Sequence, residues 1–168
     1  NPIVQFILQP ILIFGVLFHF VMGFVLELKN SKSRGVKYAN YKGSTNASWM
    51  SRNMIYSGIV ILSFLGLHFY DFWVPEMNYK YVEVLPLNPD RYFEELVHKF
   101  ESPVRVGIYA LSFVFLSLHL LHGFASSFQS VGINNKYSKA LKSFTTAFSL
   151  VVPLGFVFIV LFHHLTAF

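Results

Sequence analysis

Long apolar stretches separated by polar and charged loops dominate the chain. Four of them reach the roughly 17–25 mainly apolar residues that a membrane-crossing helix needs: residues 3–28, 53–74, 104–125 and 144–166. The pattern predicts an all-α, integral membrane helical bundle, with four transmembrane helices in a single domain over residues 1–168. Pro10 and Pro153 are expected to kink the first and last helices, which membrane helices tolerate when neighbours satisfy the freed carbonyl. No signal peptide precedes the first stretch. The chain opens at Asn1-Pro2 without an initiator methionine, so a preceding N-terminal piece is an open expectation.

The connection over 75–103 carries a further helical signal. Asn88-Pro89-Asp90 reads as a helix start, with a cap, a proline and an acid in the first turn. After it Tyr92, Phe93, Leu96, Val97 and Phe100 recur on one face. That predicts a short helix lying on the membrane surface.

Charge separates the loops. The first loop holds Lys29, Lys32, Arg34, Lys37 and Lys42, with Arg52 at its end, and the last holds Lys136, Lys139 and Lys142. In the middle connection Glu76, Glu83, Asp90, Glu94, Glu95 and Glu101 outweigh Lys80, Arg91 and Lys99. The positive-inside rule places the basic loops in the cytoplasm, and the acidic loop and C-terminus outside. In a bacterium this is the cytoplasmic (inner) membrane, with the acidic side periplasmic. Trp49 and Trp73 near opposite ends of the second stretch fit interfacial aromatic belts.

Composition agrees. Charged residues make up 12% of the chain, about half the share in soluble domains, and 54% is hydrophobic. Aromatic residues reach 18%, with 20 Phe and 9 Tyr. With no cysteine, disulfides, thiolate zinc sites and iron–sulfur clusters held by this chain are excluded. The net charge of +5 sits in loops beside apolar segments, which favours a membrane over nucleic acid.

Histidines within these stretches are the candidate chemistry, because an ionisable residue inside a membrane helix is costly and by default functional. His19 and His119 each precede a glycine by four residues, Gly23 and Gly123. At 1.5 Å per residue, His19 lies roughly 13 Å and His119 about 10 Å from the cytoplasmic ends of their helices. They share the inner level. His68 lies only about 8 Å below the outer end of its helix, on the side of His163 and His164. A matched pair of neutral imidazoles suits the two axial positions of a haem b iron, leaving no open site and favouring electron transfer over oxygen chemistry. Gly23 and Gly123 would let the porphyrin lie against helix backbone. Hydrogen bonding between helices is the plainer alternative. His122, on nearly the same face as His119, reads equally as ligand, propionate partner or hydrogen-bonder. The mate of His68 is either His163 or a residue in a preceding segment, and His98 reads as solvated.

Four stretches carry a resemblance: Leu17-Phe-His-Phe-Val-Met-Gly23, Ser51-Arg-Asn-Met-Ile-Tyr-Ser-Gly58, Leu67-His-Phe-Tyr-Asp-Phe-Trp73, and Leu118-His-Leu-Leu-His-Gly-Phe-Ala-Ser-Ser-Phe-Gln-Ser-Val-Gly132. In them, over essentially its whole length, the chain resembles the di-haem cytochrome b membrane anchor of succinate:quinone oxidoreductases (succinate dehydrogenase/fumarate reductase, complex II) of the Bacteroidetes kind. That family has five helices, the first four each giving one haem ligand. The resemblance implies that these helices match its second to fifth, with His19 and His119 on the proximal haem and His68 on the distal one. The fourth ligand would lie in the family's first helix, which this sequence lacks.

The resemblance also implies flavoprotein and iron–sulfur subunits docked on the cytoplasmic face, against the basic loops and residues 126–132. It implies membrane quinone, menaquinone, as electron partner, and it allows a dimer of complexes. Arg52 reads as either a propionate partner or a snorkelling cation. Asp71, Trp73 and Glu76 are the candidate quinone contacts. The chain holds no dicarboxylate or flavin site and no catalytic residue of its own, so dehydrogenation would belong to its partners. The rival readings are the cytochrome b subunit of a membrane formate dehydrogenase or hydrogenase, a haem-free proton-coupled transporter, and a bare anchor.

Overall fold

The computed structural model describes residues 2–33, 53–86, 88–132 and 137–166. Among these residues the chain is all-α, without strands, and four helices are long and apolar enough to cross a membrane: Val4–Lys32, Met54–Val82, Pro103–Phe128 and Ser138–Thr166. The chain divides into two compact units, Asn1–Gly58 and Ile59–Phe168.

In the first unit a π turn over Val4–Leu8 leads into α1, Gln9–Ser33. Pro10 explains that turn. Its ring has no N–H to give and crowds the carbonyl four residues back. The chain answers by widening, and the Gln9 N–H reaches Val4 O, five residues back.

The same device recurs in the second stretch. Helix α2, Met54–His68, passes through a π turn at Phe69–Trp73 into α3, Val74–Met77, and a last π turn, Asn78–Val82. Pro75 stands just past the first of these turns, and the Val74 N–H again reaches five back, to Phe69 O. Isolated π turns of this kind re-aim the side chains that follow.

The helical run therefore continues eight residues past the end expected near position 74. Glu76 pairs with Lys80 one turn on, and with Arg91 across the connection. These pairs let polar residues prolong the rod. It stops where Val84 turns to φ 51°. There the Leu85 N–H donates to Tyr79 O at 3.1 Å, and Asn78 Nδ2 donates to Glu83 Oε1 at 2.6 Å.

Helix α4 spans Arg91–Phe100. It starts two residues later than a Pro89 start would give: the Asp90 carbonyl accepts the first helical bonds, from the Phe93 and Glu94 N–H at 3.1 and 3.3 Å, while the Asp90 N–H donates to Asn88 Oδ1 at 3.0 Å. Only part of its apolar face is covered: Phe100 is buried, whereas Tyr92 and Phe93 are exposed. Helices α5, Pro103–Ser130, and α6, Ser138–Thr166, form an antiparallel pair. Facing rings join them at two levels, Phe113–Phe156 at 5.2 Å and Phe124–Phe148 at 6.0 Å.

The core of the second unit lies where α2, α4, α5 and α6 meet. Phe64, Phe100, Val106, Tyr109, Phe113 and Val160 form it, with Phe72, Leu96 and Val157 packed around. Tyr109 is central, with the rings of Phe64, Phe100 and Phe113 at 5.1, 5.2 and 6.2 Å. Between membrane helices such van der Waals packing, with a few interhelical hydrogen bonds, does the holding.

Candidate functional site

The polar centre of the second unit is built from one turn of the α2 rod and one turn of α5. His68 and Asp71 are three apart, as are neighbours on a helix face, and Arg105 and Tyr109 are four apart on α5. The Asp71 side chain is fully buried. Its Oδ2 accepts a hydrogen bond from Tyr109 Oη at 3.0 Å and forms an ion pair with Arg105 Nε at 3.0 Å, while Lys99 Nζ of α4 stands 3.7 Å from Oδ1, which has no hydrogen-bond partner among the described residues. One carboxylate thus faces two cations. This is the arrangement that lets a buried charge persist: paired and hydrogen-bonded.

His68 leans against the same centre. Its ring lies 5.8 Å from Phe64, 5.2 Å from Phe72 and 6.3 Å from Tyr109. Its Nδ1 is buried and has no hydrogen-bond partner among the described residues. An orphaned buried polar atom costs about 1–3 kcal/mol and asks for an explanation. An imidazole with a free nitrogen, caged by aromatic rings, has the donor chemistry that a haem iron takes.

His119 and His122 lie on α5, both half-buried. Ten residues separate His119 from Tyr109, roughly 15 Å along the helix. Within this unit the two histidine levels are thus well apart. Gly123 follows one turn later, and its carbonyl accepts from Ser127 Oγ at 2.7 Å. In the first unit His19 sits mid-way along α1, its ring edge-on to Phe20 at 6.1 Å. A Cβ added at Gly23 would meet no other heavy atom within 4 Å. Arg52 lies outside the described residues.

The remaining candidates are held elsewhere. Trp73 packs on Phe69 at 5.8 Å. Glu76 is engaged by Lys80, Arg91 and Tyr92, and the Arg91 guanidinium stacks 3.9 Å over the Tyr79 ring. At the end of α6, His164 Nδ1 is 2.8 Å from Phe100 O, and the His163 ring meets Phe93 at 5.6 Å. His98 is exposed and pairs with Glu101 at 3.3 Å.

Sequence reasoning passed over Lys99, Arg105 and Tyr109 as partners of Asp71. A signal existed: an arginine and a tyrosine one turn apart at the mouth of an apolar helix need an anionic partner near their level. Compared with family models, curated proteins and solved structures, the chain has no match.

Proposed function

We propose that this chain is the membrane-anchor cytochrome b subunit of a succinate:quinone oxidoreductase, placed in a bacterial cytoplasmic membrane with its basic loops inside. The observation that carries the reading is His68: an imidazole buried among aromatic rings within a membrane-length helix, with one ring nitrogen unpartnered among the described residues. His19 and His119, on two further membrane-length helices, extend it to a second level.

In this reading His19 and His119 hold the inner haem b, and His68 is one ligand of an outer one. Gly23 leaves room beside its helix backbone, and Gly123 would play the same part on α5. Haem, when bound, supplies reversible one-electron chemistry. The protein fixes the imidazoles, excludes water and sets the local charge. Electrons would pass between an iron–sulfur partner docked on the basic side and menaquinone in the membrane, with the flavoprotein carrying out the dehydrogenation.

A reduced-minus-oxidised visible spectrum of the purified complex tests this. A low-spin b-type band is expected, diminished by His19→Ala and by His119→Ala. A protein with no such band, or an unaltered band in both variants, would overturn the ligand assignment. Succinate-driven quinone reduction by the intact complex would separate it from formate- or hydrogen-linked relatives in function.

A further inference from the structure

The end of the α5–α6 pair opposite Arg105 holds a cavity of about 220 Å³. Leu121, Phe124 and Phe128 form its apolar floor on α5, and Lys142, Thr145 and Thr146 its α6 wall. A shallower depression shares Lys142 and Thr146, adds Lys139, and runs on past Ala147 to Leu150. The combined surface is basic at the helix terminus and apolar deeper along it.

Charge decides what fits. From residue 102 to 168 the chain contains no Asp or Glu, against Arg105, Lys136, Lys139 and Lys142. Neither α5 nor α6 can therefore neutralise Lys142. Lys139 stands three residues before it, on a neighbouring position of the same helix surface. The first turns of α6 also present the positive end of the helix dipole. The Thr145 hydroxyl is already committed, 3.0 Å from Leu141 O and 3.2 Å from Lys142 O, so it lines the wall. The Lys139 and Lys142 ammonium groups and the Ser143 and Thr146 hydroxyls are donors on the lining.

We infer that this is a binding site for the phosphate headgroup of an anionic phospholipid. The half-open cavity has room for a phosphodiester and its first methylenes. The acyl chains would follow the apolar track past Ala147 and Leu150. Basic pockets between membrane helices bind such headgroups, and the amphipathic lining answers a ligand that is anionic at one end and apolar at the other. A soluble anion would use the lysines but not the floor. The inference is independent of haem.

The test is thermal unfolding of the full chain in neutral detergent, titrated separately with phosphatidylglycerol, phosphatidylcholine and inorganic phosphate. Phosphatidylglycerol should raise Tm saturably, and the other two should have little effect. Lys142→Gln, a change at an exposed side chain, should weaken the phosphatidylglycerol response about fivefold, from the roughly 1 kcal/mol of one lysine near a charged headgroup. Ala125→Leu, which fills the cavity from its α5 side, should abolish the response while the lipid-free Tm holds. Equal stabilisation by phosphatidylcholine, an unchanged response in Lys142→Gln, or full stabilisation by inorganic phosphate alone would each overturn the proposal.

Discussion

The hydroxyl of Ser117 on α5 donates to the carbonyl of Ser149 on α6 at 2.7 Å, and that carbonyl is the one Pro153 leaves without its helical donor. Ser149 is fully buried. Water would not reach its carbonyl in a membrane, and an unsatisfied group there costs several kcal/mol. The proline in α6 and the serine in α5 are therefore one structural unit. Ser149 completes it by turning its own hydroxyl back to Thr145 O at 2.7 Å.

Ser117→Ala should destabilise the protein by about 0.6–2 kcal/mol, the span measured for hydrogen bonds between membrane helices. Pro153→Ala restores the N–H at position 153 and should make the same serine substitution nearly neutral. Unfolding in mixed detergent micelles gives the four corners of this cycle. Additive effects would show that the two residues act separately.

Removing Asp71 leaves Arg105 and Lys99 facing each other in a partly buried site. Asp71→Ala should cost about 3–5 kcal/mol, as for other broken buried pairs. Tyr109→Phe removes one charge-assisted hydrogen bond and should cost about 1.5–3 kcal/mol. Combining Asp71→Asn with Arg105→Gln should cost clearly less than the sum of the single changes. Strict additivity in a chemical unfolding series would mean that the pair is not coupled.

Val84 holds a left-handed backbone conformation, φ 51°, with its side chain exposed. A β-branched residue is strained there, at about 1–3 kcal/mol, and its side chain gives little back. Val84→Gly should stabilise the fold by about 1 kcal/mol, after glycine's greater unfolded-state freedom is subtracted. A lower unfolding midpoint in this variant would contradict the assigned turn.

On the proposed function, His68 and His119 belong to different haems. His68→Ala should remove one b-type component from a redox titration of the complex and leave the other near its original potential. His119→Ala should do the reverse. Loss of the same component in both variants would place the two histidines on one haem.

Much of this architecture was legible from local pattern. Apolar length gave the four membrane-length helices, and turn chemistry at 88–90 located a helix within two residues of where α4 starts. The second stretch ran longer than its hydropathy suggested. Glu76, Lys80 and Arg91 pair with one another, and a paired charge can prolong a helix where an unpaired one would end it. From the sequence, Asp71 reads as a candidate quinone contact, and no signal local to it names its partners in the fold. The structure occupies its carboxylate with Tyr109, Arg105 and Lys99.

The sequence by itself determined the all-α class, the membrane-length helices and two of the points, Pro10 and Pro153, where a proline disturbs the hydrogen-bond ladder. Each of these depends on residues within about one or two turns of one another. Tertiary structure alone decided which groups satisfy the polar atoms left over. Tyr109 reaches Asp71 across 38 residues of chain, and Ser117 reaches Ser149 across 32. No periodicity encodes those distances. They arise because an unpartnered donor or acceptor buried between helices in an apolar medium is costly, and which partner is near depends on how the helices pack.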